Sequence, residues 1–74
     1  MEKIERLKKL LGEAKDILTI LVNNNQNKLD MYPDKMYGTV EYNKDELNQT
    51  CLEEALYCLD DSLDNIDLLD EDRL

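Results

Sequence analysis

An all-α architecture, an α-helical hairpin that dimerises into a helical bundle, is what the apolar pattern of this chain predicts. Three observations carry it. Ile4, Leu7, Leu11, Ala14, Leu18 and Leu21 recur at a strict 3-4 spacing, the a/d pattern of a helix with one committed face. Leu47, Cys51, Leu52, Ala55, Leu56, Leu59, Leu63, Ile66 and Leu69 form a second helical stripe. Between the two lie the only Pro, one of the two Gly and three of the four Tyr, the composition of a connection.

The first helix should span about residues 3–22. Leu10, Ile17 and Val22 widen its stripe, and Glu2/Arg6 and Glu5/Lys9 support it as i,i+4 pairs. Gly12 falls on its outer side, where it costs about 1 kcal/mol of propensity. The run Asn23-Asn24-Asn25-Gln26-Asn27 should end it, because Asn competes for backbone hydrogen bonds and accepts left-handed geometry. Residues 23–43 then read as a loop. Tyr32-Pro33-Asp34-Lys35 has the chemistry of a turn, and Tyr37, Thr39, Val40 and Tyr42 have strand-like content, so a short hairpin is one reading of the segment. The second helix should start with Asn43 as N-cap and Glu46 as its capping-box partner, and run over about 44–69, with a short acidic tail at 70–74.

With 74 residues, no Trp and no Phe, the chain is one small domain that buries only about 60% of its unfolded surface. Two wide apolar faces in so short a chain predict a homodimer. Its core and dimer contacts should come from Ile4, Leu7, Leu11, Leu18 and Leu21 of the first helix and Leu52, Leu56, Leu59, Leu63 and Ile66 of the second.

Charge is concentrated at one end. Residues 1–44 hold eight Lys/Arg against seven acids, whereas residues 45–74 hold eleven acids against Arg73 alone, for a total of −9. A merely soluble face mixes signs, but no Lys or Arg occurs from 45 to 72. Asp60/Asp64, Asp64/Asp67 and Asp67/Glu71 are like-charge neighbours on a helix. The acids are densest at its C-terminus, the negative end of the macrodipole. Self-repulsion of this kind suggests that the charge has a use. Glu53, Glu54, Asp60, Asp61, Asp64, Asp67, Asp70 and Glu71 are therefore the candidate partner-binding face, with Tyr32, Tyr37 and Tyr42 as candidate anchors. Glu53 to Asp72 covers about 29 Å of helix. In a dimer this is roughly one acid per 1.6 Å, against one phosphate charge per ~1.7 Å of duplex DNA.

Other chemistries fit the residues poorly. Cys51 and Cys58 are seven apart, about 10.5 Å on a helix, too far for a disulfide, so small buried thiols are expected. With no His and no second Cys pair, no metal site is expected. Asp60, Ser62, Asp64 and Glu71 have calcium-loop spacing, but Asn65 replaces the required Gly and Asp67 stands where an apolar residue belongs. Lacking a Gly-rich phosphate loop and a nucleophile–base pair, the chain should be neither an enzyme nor a cofactor binder. No secretory leader and no apolar run near 18 residues is apparent, so a soluble, cytoplasmic protein is expected.

A small acidic chain carrying the run ELNQTCLEEALYCLDDSLDNIDLLDEDRL resembles the phage-encoded inhibitors that imitate DNA and block a host DNA-binding protein, among them the sliding-clamp inhibitors of staphylococcal phages. The likeness extends over the whole chain in length and acidity and has no diagnostic motif. It implies a dimer, acting in the cytoplasm of a bacterial host, whose acidic surface fills the basic DNA channel of the replication clamp, the beta clamp. It implies no direct contact with nucleic acid or membrane. Two other classes remain open from sequence: an acidic antitoxin- or immunity-like protein neutralising a basic toxin or nuclease, and a plain helical dimerisation module.

Overall fold

The computed structural model describes residues 2–74 as an all-α hairpin, two long antiparallel helices in a rod of 58 × 14 × 13 Å. Helix α1 is Glu2–Asp30 and helix α2 is Val40–Asp67. A 3-10 turn at Asp34–Met36 lies in the connection, and a second, Glu71–Arg73, follows α2.

The register is fixed by cross-helix pairs. Lys8 lies level with Asp67, Lys15 with Asp60, and Asn25 with Gln49. The α1 side of the seam is Ile4, Leu11, Leu18 and Asn25, flanked by Lys8, Lys15, Val22 and Leu29; the α2 side is Asp45, Leu52, Leu59 and Ile66, flanked by Tyr42, Gln49, Leu56 and Leu63. Burial along it is shallow. Leu29 (8% exposed) is the only buried apolar residue among those described, and it sits level with two buried polar ones, Asp45 (8%) and Gln49 (6%).

Leu7 and Leu21 do not enter this seam. They are exposed, and the row expected to hold them is taken by Lys8 and Lys15, half-buried, with Val22 and Leu29. Lysine can line a seam because its methylene stem packs against apolar neighbours while its ammonium reaches outward, here to carboxylates of α2.

The boundaries also differ from those expected. The asparagine run does not end α1, which continues to Asp30. Asn propensity is only a few tenths of a kcal/mol worse than that of good helix formers, and tertiary partners outweigh it: Asn25 donates through Nδ2 to the Asp45 carbonyl and to Gln49 Oε1, both at 2.9 Å. No strand forms among the described residues. The Tyr37–Tyr42 segment is instead a helix start. Thr39, not Asn43, caps α2: its Oγ1 accepts from the Tyr42 amide at 3.3 Å and donates to the Met36 carbonyl at 2.7 Å. Gly38, at φ 84°, supplies the left-handed residue that the reversal requires. Asn43 straps this turn, donating to the Gly38 carbonyl. Both thiols are exposed, not buried, because the seam passes through Leu52, Leu56 and Leu59 and leaves Cys51 and Cys58 on the outer flank.

Candidate acidic interaction surface

The acids of α2 divide into two rows. Glu46, Glu53, Asp60 and Asp67 run immediately beside the seam; Glu54, Asp61 and Asp64 lie farther round the helix. Asp70, Glu71 and Asp72 extend the surface past the end of α2 through the second 3-10 turn.

The inner row is partly neutralised. Lys15 Nζ lies 2.6 Å from Asp60, and Lys8 Nζ lies 3.5 Å from Asp67 and 3.7 Å from Glu71. The hydrogen bond from Lys15 to Asp60, and then the charge of that carboxylate, raise the Lys15 pKa above its ordinary value. These pairs are largely exposed, and exposed pairs add little stability, but they lower the local negative field. Glu53 accepts from Gln49 Nε2 at 2.8 Å, and Arg73 Nε lies 4.0 Å from Asp70. Single-sign charge along α2 is thus balanced across the hairpin, by lysines more than forty residues away in sequence. Glu54, Asp61 and Asp64 face solvent outside these ion pairs.

The three candidate tyrosines cluster with one another. Tyr32 and Tyr42 meet edge-to-face at 5.3 Å between centroids, and Tyr37 lies 4.8 Å from Tyr42. Tyr32 and Tyr42 are half-buried and seal the open end of the hairpin, leaving Tyr37 as the exposed member. Tyr32 Oη donates to Asp45 at 2.5 Å, and Lys28 Nζ approaches the same carboxylate at 3.2 Å. The tyrosine hydrogen bond, aided by Lys28, holds the Asp45 pKa below its ordinary value and raises that of Tyr32. Tyr42 is raised chiefly by desolvation.

Sequence reasoning missed one exposed aromatic on the acidic side. Tyr57 is exposed and lies on α2 between Glu53 and Glu54 one turn before it and Asp60, Asp61 and Asp64 after it. Its spacing of seven from Thr50 and from Asp64, both outward positions, is the signal that finds it.

Among the described residues no group of His, Cys, Asp and Glu could hold a metal ion, and no helix is long and apolar enough to cross a membrane. No family model, curated protein or solved structure matches this chain.

Proposed function

We propose that this chain is a phage-type DNA mimic that blocks a host DNA-binding protein by occupying its basic DNA site, with the replication sliding clamp as target and two copies of the chain forming the inhibitor. The observation that carries this reading is the one-sided charge of the rod. Outward acids follow one another along α2 and past its end, while the other side of the hairpin presents Leu7, Leu10, Ala14, Ile17 and Leu21 on α1 and Cys51, Ala55, Cys58 and Ser62 on α2. A stiff body with carboxylates on one side can present charge along a line, as a phosphate backbone does. The arrangement supports a basic elongated site as the complement. The clamp in particular comes from the family resemblance. The proposal assigns the chain no catalytic role and no cofactor.

Clamp binding measured between 50 and 500 mM NaCl should weaken steadily, mainly through a slower on-rate, because association of this kind is steered by long-range charge and screened by salt. A triple variant, Glu54→Gln with Asp61→Asn and Asp64→Asn, removes acids outside the cross-helix ion pairs. It should slow association roughly tenfold at 50 mM NaCl and restore clamp loading onto duplex DNA. Unchanged inhibition by this variant would show that the acidic side is only a solvated face. Strong salt-sensitive binding to a toxin or nuclease, without binding to the clamp, would move the chain to the antitoxin class.

A further inference from the structure

The side of the hairpin turned away from the acidic rows has no partner among the described residues. On α1 it presents Leu7, Leu10, Ala14, Ile17 and Leu21 at a 3-4-3-4 spacing of its own, distinct from the row that enters the seam. Leu10 is 51% exposed, Ile17 59% and Leu21 45%. On α2 the same side presents smaller residues, Cys51, Ala55, Cys58 and Ser62, all exposed. The two stripes share one face: Leu21 and Asn24 line a shallow cavity of about 510 Å³ together with Asn48 and Cys51. The ion pairs of Lys8 and Lys15 lie on the other side of the seam. One face therefore has a ridge of large side chains on one helix and a trough of small ones on the other.

The total surface area of this elongated rod leaves room for a docked copy. The chain exposes 5904 Å², whereas a compact monomer of 8.7 kDa exposes about 4,700 Å². The excess of roughly 1,200 Å² exceeds the ~800 Å² that each partner buries in a standard interface. Charge identifies the occupant. A second copy, itself at −9, is repelled by the acidic side but here meets acids only at the edges, Glu13 beside the ridge and Glu54, which accepts from Cys58, beside the trough, and its own ridge and trough are the complement of this ridge and trough.

We infer that this face is where a second copy docks, with α1 of each copy laid in the trough of α2 of the other about a twofold axis parallel to the helices. The inference rests on the two-copy part of the proposed function and specifies its geometry. An axis in that direction keeps residues at their own level along the rod. In the hairpin's register, set by Lys15 with Asp60 and Lys8 with Asp67, Ile17 lies level with Cys58. Ile17 of one copy therefore falls opposite Cys58 of the other, and Leu21 opposite Ala55. Large meets small at these two levels, while Leu7 falls level with Leu68 toward the end of the rod, and the acidic sides of both copies point away from each other. The alternative axis, across the helices, sets leucine against leucine and leaves the two small-residue troughs facing across a gap, which close packing disfavours.

The test uses the native thiol at Cys58. In a Cys51→Ser background, Ile17→Cys should give, under diamide oxidation at about 20 µM, roughly tenfold more covalent dimer than Cys51→Ser alone, on a non-reducing gel at twice the 8.7 kDa chain mass. Both substitutions are small, and sedimentation equilibrium on the reduced samples should give the same doubled mass. A folded monomer at that concentration overturns the inference. A dimer that fails to cross-link, or one that cross-links equally through Cys58 alone, overturns the pairing. The readout needs no clamp. A dimer that cross-links but leaves the clamp untouched would defeat the functional reading alone, and clamp inhibition by a folded monomer would defeat this inference and the two-copy part of that reading while leaving the DNA mimicry standing.

Discussion

Asp45 is an acid turned inward in a chain whose other acids face out or lie beside the seam. Its carboxylate takes the Tyr32 hydroxyl and the Lys28 ammonium, while its backbone carbonyl takes Asn25. A buried carboxylate is tolerated only when so partnered, and the partners of this α2 residue come from two other places, Asn25 and Lys28 from α1 and Tyr32 from the connection. Asp45 thus ties the open end of the hairpin. Because its folded pKa is depressed, chiefly by the Tyr32 hydrogen bond, the stability it contributes is complete above the unfolded carboxylate value near 3.9. That contribution fades as pH falls through the lower folded value. Asp45→Asn keeps an acceptor for Tyr32 but leaves Lys28 without its charge partner. We expect the variant to melt about 5–10 °C below the parent at pH 7, and the gap to close as pH is taken below about 4. Thermal melts by circular dichroism at pH 7, 5, 4 and 3 measure this. A gap that persists unchanged at pH 3 would mean that Asp45 acts by packing and not by charge.

At the scale of elements, the last two turns of α1 are the least obvious feature of the hairpin. Two helices, their antiparallel pairing and the central seam of Leu11, Leu18, Leu52, Leu56, Leu59 and Leu63 were legible from spacing, because apolar periodicity is local. The eight residues from Asn23 to Asp30 were not, because what keeps them helical is held elsewhere in the chain: Gln49, the Asp45 carbonyl and its carboxylate. For the same reason the cap of α2 is read at Asn43 from local sequence when it is Thr39, which is chosen by the turn at Gly38 and the Met36 carbonyl. On the acidic side, the α2 residues were legible and the lysines that temper them were not, because pairing across the hairpin depends on register. Asn25→Ala tests the first of these points. It removes both cross-helix donations and leaves Gln49, buried, short of a donor, a loss of about 1–2 kcal/mol. Amide hydrogen exchange should accelerate over residues 23–30, while the amides of Leu11 to Leu18 keep their protection. Uniform acceleration along α1 would show that the hairpin opens as one unit and that Asn25 has no local role.

For the whole molecule, charge and apolar surface act on opposite sides of one rod, and salt should separate them. Screening weakens attraction between the acidic side and a basic partner. It also weakens repulsion between acids within the chain and between docked copies, while burial of Leu10, Ile17 and Leu21 against a second copy depends little on ionic strength. Binding and stability should therefore respond to NaCl with opposite signs. Against this stand Lys15–Asp60 and the two contacts of Lys8, which salt also weakens. They are exposed pairs that add little stability, against a net charge of −9, so relief of repulsion should win. We expect Tm to rise by several degrees between 50 and 500 mM NaCl. Tm should also rise with chain concentration between about 5 and 100 µM, because anything that binds the folded state alone, a second copy included, stabilises it by mass action. Differential scanning calorimetry over that grid decides both. A Tm that falls with salt would assign the hairpin's stability to its lysine pairs. A Tm independent of concentration would mean that the ridge of α1 is left uncovered in solution, and that the two-helix rod stands on its shallow seam alone.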